Sequence, residues 1–322
     1  MTVSAGPRGT PAPVGGLAAV VVAAAVWGTT GTATHFAPGV PAFVFGAVTF
    51  GIGGLVLAAV AGRGTVRAVA ERRTRGWALL GAAALVVYAV AFYAALADAG
   101  VSLGTTIAIG SSPVFAGLVE WVSDRRPVTS RWVVATLVSV AGMVVVTLAR
   151  SEHGGGGGAL ALGIASALLA GLTYALYSWA VARGLHAAAG TVSEPGGPGA
   201  EAVAAGLPNG RGLVGAVFGL AAVPLVVLVF VAGAPFLGDA GNWPVFLYLA
   251  VVPTVLGHSL YAVGLRSVGA SVATLVSLLE PVIAAVLAVL VVGEHLGAAG
   301  WGGITLVVVG LAVLALPGRR RR

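Results

Sequence analysis

Long apolar runs alternate along the chain with short connections that carry arginine, glycine or proline. Ten runs recur: Val14–Ala33, Pro41–Ala61, Trp77–Ala97, Leu103–Val122, Trp132–Leu148, Ala159–Val181, Leu213–Ala232, Pro244–Leu265, Ala270–Val292 and Trp301–Leu316. A helix of about 20 residues covers the roughly 30 Å hydrocarbon core of a bilayer. Lipid offers no hydrogen bonds to the backbone, so each run must satisfy its own amides and carbonyls, as a helix does. The pattern predicts an all-α polytopic membrane protein with ten transmembrane helices.

Composition agrees. The chain is 58% hydrophobic and only 8% charged, with mean hydropathy +1.03, whereas a soluble domain carries about a quarter charged residues. There is no cysteine, which excludes disulfides and thiolate metal sites. The net charge of +7 does not point to nucleic acid, because the arginines sit in short loops between spans, as topology signals do. With the N-terminus inside, the cytoplasmic segments hold all seventeen basic residues except Arg150. Both termini are therefore expected to be cytoplasmic and the protein to be a multi-pass component of the cell (plasma) membrane.

Residues 1–12 are polar and expected to be disordered. Only Arg8 precedes the first run and no clean small-x-small cleavage site follows it, so that run is read as a retained span rather than a leader. Five glycines, Gly154 to Gly158, divide a first unit at 13–150 from a second at 151–317. Within the second, 186–212 is rich in Gly, Ala and Pro and reads as a disordered cytoplasmic loop. Residues 318–322 form a basic tail.

The two units repeat one another. A shift of 168 residues lays Tyr93-Ala94 on Tyr261-Ala262, Thr106 on Thr274, Pro113 on Pro281 and Gly142 on Gly310; nearer the start the shift is 147, which lays Trp27 on Tyr174. Each unit holds five spans, an odd number, so the second must cross the membrane upside down. Inverted five-helix repeats are a transporter architecture, with the substrate site at mid-membrane where the repeats meet and where helices are interrupted. Pro113 and Pro281 mark such helix breaks at equivalent places.

The second of these breaks carries a charge. In Leu275-Val276-Ser277-Leu278-Leu279-Glu280-Pro281-Val282 a carboxylate stands in the middle of an apolar run, where it costs a few kcal/mol or more unless it faces a polar cavity or partner. Proline removes a backbone donor beside it. Glu280 is the first candidate for binding a cationic group or cycling a proton; its bland alternative is a protonated carboxyl bonded to a neighbouring helix. His258, midway along the eighth run, is the second candidate, and would share a proton with Glu280 if the two faced each other. A lone histidine on an apolar face is more often a packing residue. Trp27, Tyr93, Tyr174 and Tyr261 lie inside their runs at repeat-related positions and would line a pocket or pack. Trp77, Trp132, Trp243 and Trp301, at run ends, read as interface anchors. Ser112 is the repeat mate of Glu280. Glu120 and Asp124 are expected to pair with the neighbouring arginines. Glu294-His295 points its side chains apart and does not make a metal site.

The same residues resemble the EamA-type permeases of the drug/metabolite transporter superfamily. The resemblance rests on Ala25-Val26-Trp27-Gly28-Thr29, Tyr93-Ala94-Ala95-Leu96, Tyr261-Ala262-Val263-Gly264-Leu265, Ser112-Pro113, Leu279-Glu280-Pro281-Val282, Gly293-Glu294 and Gly310, and covers residues 14–317. It implies export or import of amino acids, other metabolites or drugs by alternating access, without a bound cofactor. The first half departs from the pattern, with Arg126 where the second has Glu294 and Ser112 where it has Glu280, so one acidic site is expected rather than two. No phosphate-binding loop is present, which leaves a gradient (a proton, or solute exchange) as the energy source. The competing readings are an intramembrane enzyme using Glu280 and His258, which lacks a nucleophile near a headgroup, and a membrane scaffold. Glycine-rich faces serve packing within and between chains alike, so a homodimer is one option.

Overall fold

The computed structural model describes residues 13–125, 128–150, 160–189, 208–293 and 295–315. Ten helices are long and apolar enough to cross a membrane: α1 (Gly15–Thr34), α2 (Ala42–Ala61), α3 (Arg72–Ala99), α4 (Leu103–Asp124), α5 (Ser130–Ala149), α6 (Leu160–Ala189), α7 (Gly210–Ala232), α8 (Ala240–Leu265), α9 (Ala270–Val292) and α10 (Ala298–Ala315). The expected number of spans is met. Residues 1–12, the glycine run, Arg126, Glu294 and the basic tail lie outside the described residues. So does most of the segment read as a loop, but its ends are helical: α6 continues to Ala189, and the helix that contains α7 starts at Pro208.

The main packing contacts among the spans recur between the repeats. α3 packs on α6 as α8 packs on α1; α4 packs on α6 as α9 packs on α1; α7 packs on α3 as α2 packs on α8. Three pairs, α2 with α7, α5 with α10 and α4 with α9, are their own counterparts and mark the pseudo-two-fold axis. The correspondence holds at single residues. A Cβ on Gly142 would meet Gly303 and Val307, and one on Gly310 would meet Ala135 and Ser139; the second set is the first displaced by 168. Gly51 against Val226 and Gly219 against Ala58 are related in the same way. Gly16 against Ser267 matches Gly163 against Ala99, which uses the offset of 147 for α1 and α6. These glycines let backbones approach closely, the usual device for helix association in lipid.

The chain leaves α2 through Gly62, at φ +52, a conformation that costs glycine little. It then forms a short helix, Arg63–Ala70, which rests on α7 of the other repeat. Trp132 does not behave as an interface anchor. It is buried and donates from Nε1 to Ser271 O at 3.1 Å, since Gly117 leaves a slot for its ring.

Candidate functional site

Pro113, Pro253 and Pro281 sit within spans, and the chain accommodates them in different ways. Pro281 leaves the carbonyl of Ser277 without its usual donor. α9 stops at Val276 and restarts at Leu279, and the Ser277 carbonyl accepts instead from Glu280 N at 2.9 Å. The break expected at Pro281 is there, one turn before the proline. No break occurs at Pro113: the helix runs unbroken from Val101 to Asp124. The reason is Ser112, whose Oγ donates at 2.8 Å to the Ile109 carbonyl that Pro113 leaves free. Thr254 does the same for Pro253, donating to Leu249 O at 3.0 Å. Around Pro253 the helix widens into a π-helical stretch, Ala250–Gly257, and the Pro253 carbonyl accepts from Trp27 Nε1 at 2.9 Å. Ser112 is 1% exposed, so its hydroxyl is taken up by the backbone of its own helix.

α1 crosses α9 at the break. A Cβ on Gly28 would lie 2.9 Å from the Glu280 carbonyl oxygen, so the site needs glycine there. The Glu280 side chain is half-buried, and among the described residues no hydrogen bond or ion pair reaches its carboxyl. It lies within electrostatic reach of Tyr88 on α3 and Tyr174 on α6. Tyr88 and Tyr174 pack at 5.4 Å between ring centroids, and Tyr174 stacks on Tyr261 at 6.4 Å. The carboxyl thus lies within electrostatic reach of an aromatic wall contributed by both repeats.

The expected aromatics all join that wall, in two roles. Trp27 and Tyr261 are buried and packed together at 5.1 Å, and Tyr261 donates to Ser178 Oγ at 3.0 Å. Tyr174 and Tyr93 are half-buried. Tyr93 fills the space that Gly46 leaves on α2 and reaches the cluster through Phe92. The sequence reading missed Tyr88, Tyr177, Phe50 and Phe218, which complete the cluster. The spacing of Tyr174, Tyr177 and Ser178, which puts three polar-tipped side chains on one helical face, was the available signal.

His258 takes the other course open to it. Its ring is 6% exposed and enclosed by Trp27, Phe50, Tyr177 and Phe218, at 4.8, 5.9, 6.3 and 4.6 Å. Its Nδ1 bonds the Thr254 carbonyl at 3.2 Å. Among the described residues nothing joins it to Glu280, so the two candidates occupy different environments.

Two further acids, Glu120 and Asp124, are organised at one membrane face. The Glu120 carboxylate accepts from Ser271 Oγ at 2.5 Å and from Ser271 N at 3.3 Å, which anchors the start of α9 to α4. Asp124 accepts from Trp179 Nε1 at 3.3 Å and stands 3.3 Å from the Arg183 guanidinium on α6. The two acids border a cleft of about 180 Å³ shared with His186, Arg266 and Gly269. Among the described residues no cluster of three potential metal ligands occurs.

Comparison with known proteins gives a consistent result. The model of the EamA-like transporter family matches residues 14–148 and 211–316. The chain is 31% identical over 311 residues, 94% of each chain, to the uncharacterized transporter YwfM of Bacillus subtilis (strain 168). It is 26% identical over 181 residues to an uncharacterized transporter of Clostridium kluyveri, covering 55% of this chain and 52% of that one. A solved crystal structure with 21% identity superimposes with a TM-score of 0.73, covering 94% of this chain and 96% of the other; at that identity it speaks for the fold alone.

Proposed function

The chain belongs to the EamA-like transporter family, and on that premise we propose that it is a secondary active transporter of a small metabolite, amino acid or drug. The two repeats rock about the axis through α2/α7 and α5/α10, and Glu280 binds a cationic group of the solute or the coupling proton. The observation that carries this reading is the Glu280 carboxyl itself. Among the described residues it has no hydrogen-bond or ion-pair partner, it stands at a helix break within electrostatic reach of tyrosines from both repeats, and an ionisable group so placed is a functional-site candidate by default. Tyr88 and Tyr174 offer phenol hydroxyls and ring faces, which suit an ammonium group. The arginine distribution supports a plasma-membrane location with both termini cytoplasmic. The enclosure of His258 by four rings speaks against its use as a base on a lipid-like substrate.

The test is counterflow in proteoliposomes with a panel of amino acids, amines, sugars and cationic drugs. Wild type and Glu280→Gln are compared with and without a pH gradient. Saturable exchange that is lost in the variant supports the proposal. Exchange that survives with its response to the gradient intact removes Glu280 from the mechanism.

A further inference from the structure

The short helix Arg63–Ala70 is ordered for reasons that have no bearing on the central site. Thr65 Oγ1 donates to Ala58 O at 2.9 Å and ties its start to α2. Thr74 Oγ1 donates to Ala68 O at 2.8 Å and ties its end to α3. Ala68 is buried and the helix rests on α7. What remains outside is a face of Arg63, Val66, Arg67 and Ala70, all exposed, at the i, i+3, i+4, i+7 spacing of one helical stripe. Val66 is 69% exposed.

Three more exposed arginines follow at once in the first turn of α3: Arg72, Arg73 and Arg75. Cations are disfavoured there, because the helix dipole presents its positive end. One ion pair offsets them, Arg67 with Glu71 at 3.7 Å and largely exposed, which is worth little. Among the described residues Arg63, Arg72, Arg73 and Arg75 form no ion pair. The repeat counterpart, the connection from α7 to α8, forms the helix Ala234–Leu237 and carries Asp239 and no arginine. The basic face is therefore confined to one side of the membrane.

We propose that Arg63, Arg67, Arg72, Arg73 and Arg75, with Val66 and Ala70 between them, form a docking surface for anionic phospholipid headgroups of the leaflet in which the helix lies. The guanidinium groups take the phosphates, as their planar forks allow, and Val66 enters the acyl boundary as on other in-plane amphipathic helices. The rigid seat on α7 distinguishes this surface from a loose basic loop that only sets topology.

The test uses the full chain in phosphatidylcholine vesicles with trace spin-labelled phosphatidylglycerol or phosphatidylcholine, reading the motionally restricted fraction by electron paramagnetic resonance. Phosphatidylglycerol is expected to be preferred, and the preference to fall as salt rises. Arg63→Gln/Arg67→Gln, which keeps the other three arginines, is expected to lower it by roughly fivefold or more, since one cation near an anionic surface contributes about that factor. Arg63→Lys/Arg67→Lys should retain most of it. Equal association of the two lipids overturns the proposal, as does an equal loss in Arg125→Gln/Arg131→Gln, which would assign the effect to overall charge. Displacement of the lipid by millimolar glycerol phosphate would make the surface a soluble-anion site and also overturns it.

Discussion

Ser112 offers the sharpest test of how this fold tolerates proline inside the membrane. Its hydroxyl donates at 2.8 Å to the Ile109 carbonyl, the group that Pro113 deprives of a backbone donor. Replacing Ser112 by Ala leaves that carbonyl without a partner in a buried, apolar setting. Hydrogen bonds within membrane proteins contribute roughly 0.6–1.7 kcal/mol, and an orphaned buried acceptor costs about 1–3 kcal/mol. Ser112→Ala should therefore destabilise the protein by about 1 kcal/mol, roughly a fivefold change in the folded-to-unfolded ratio. The same substitution in a Pro113→Ala background should cost close to nothing, because the new backbone N–H serves Ile109 directly. A double-mutant cycle, read by unfolding in mixed micelles, measures the coupling. Equal costs in both backgrounds would refute the assignment of Ser112 to Ile109. Transport KM should be unchanged in Ser112→Ala; a large KM change would return Ser112 to the solute site.

Gly142→Ala and Gly310→Ala should each destabilise by about 1–3 kcal/mol, and by similar amounts, because their added Cβ atoms would lie 2.6 and 2.7 Å from the carbonyl oxygens of Gly303 and Ala135. Gly302→Ala, which faces open space, should be neutral in the same melt; unequal costs for the mates would count against the symmetric axis. Trp27→Phe removes the donor to the Pro253 carbonyl and should cost about 1 kcal/mol, with a lower melting temperature in detergent as the readout. Glu120→Ala, which strips both bonds from Ser271, should cost about 1–3 kcal/mol, and Glu120→Gln, which keeps one acceptor, should cost less. Equal losses in the two Glu120 variants would show that a neutral acceptor of the same size does not replace the carboxylate at Ser271.

The repeat-related glycines show how far pattern reading carries. The offsets of 147 and 168 could be read from Trp27, Tyr93, Pro113 and Gly142 and their mates, and the packing of Gly16, Gly51 and Gly142 follows them. Glu280 stood out for a similar reason: a carboxylate amid apolar residues breaks a local rule and needs no partner to be noticed. The sequence did not say what each polar group would bond. Ser112 and Glu280 are mates, yet one serves a carbonyl of its own helix and the other is left over beside tyrosines of α3 and α6. Glu120 lies among arginines in sequence and goes to Ser271, 151 residues away.

The sequence alone determined the ten spans, their pairing into inverted halves and the one acid at mid-depth, because hydrocarbon thickness and backbone satisfaction act along a single stretch of chain. Tertiary structure decided the rest: that Pro113 is bridged while Pro281 is not, that His258 is walled in by rings, and that Tyr88 and Tyr177 join the site. Those outcomes depend on which helices cross and how closely, and that distance is set by groups far apart in the chain.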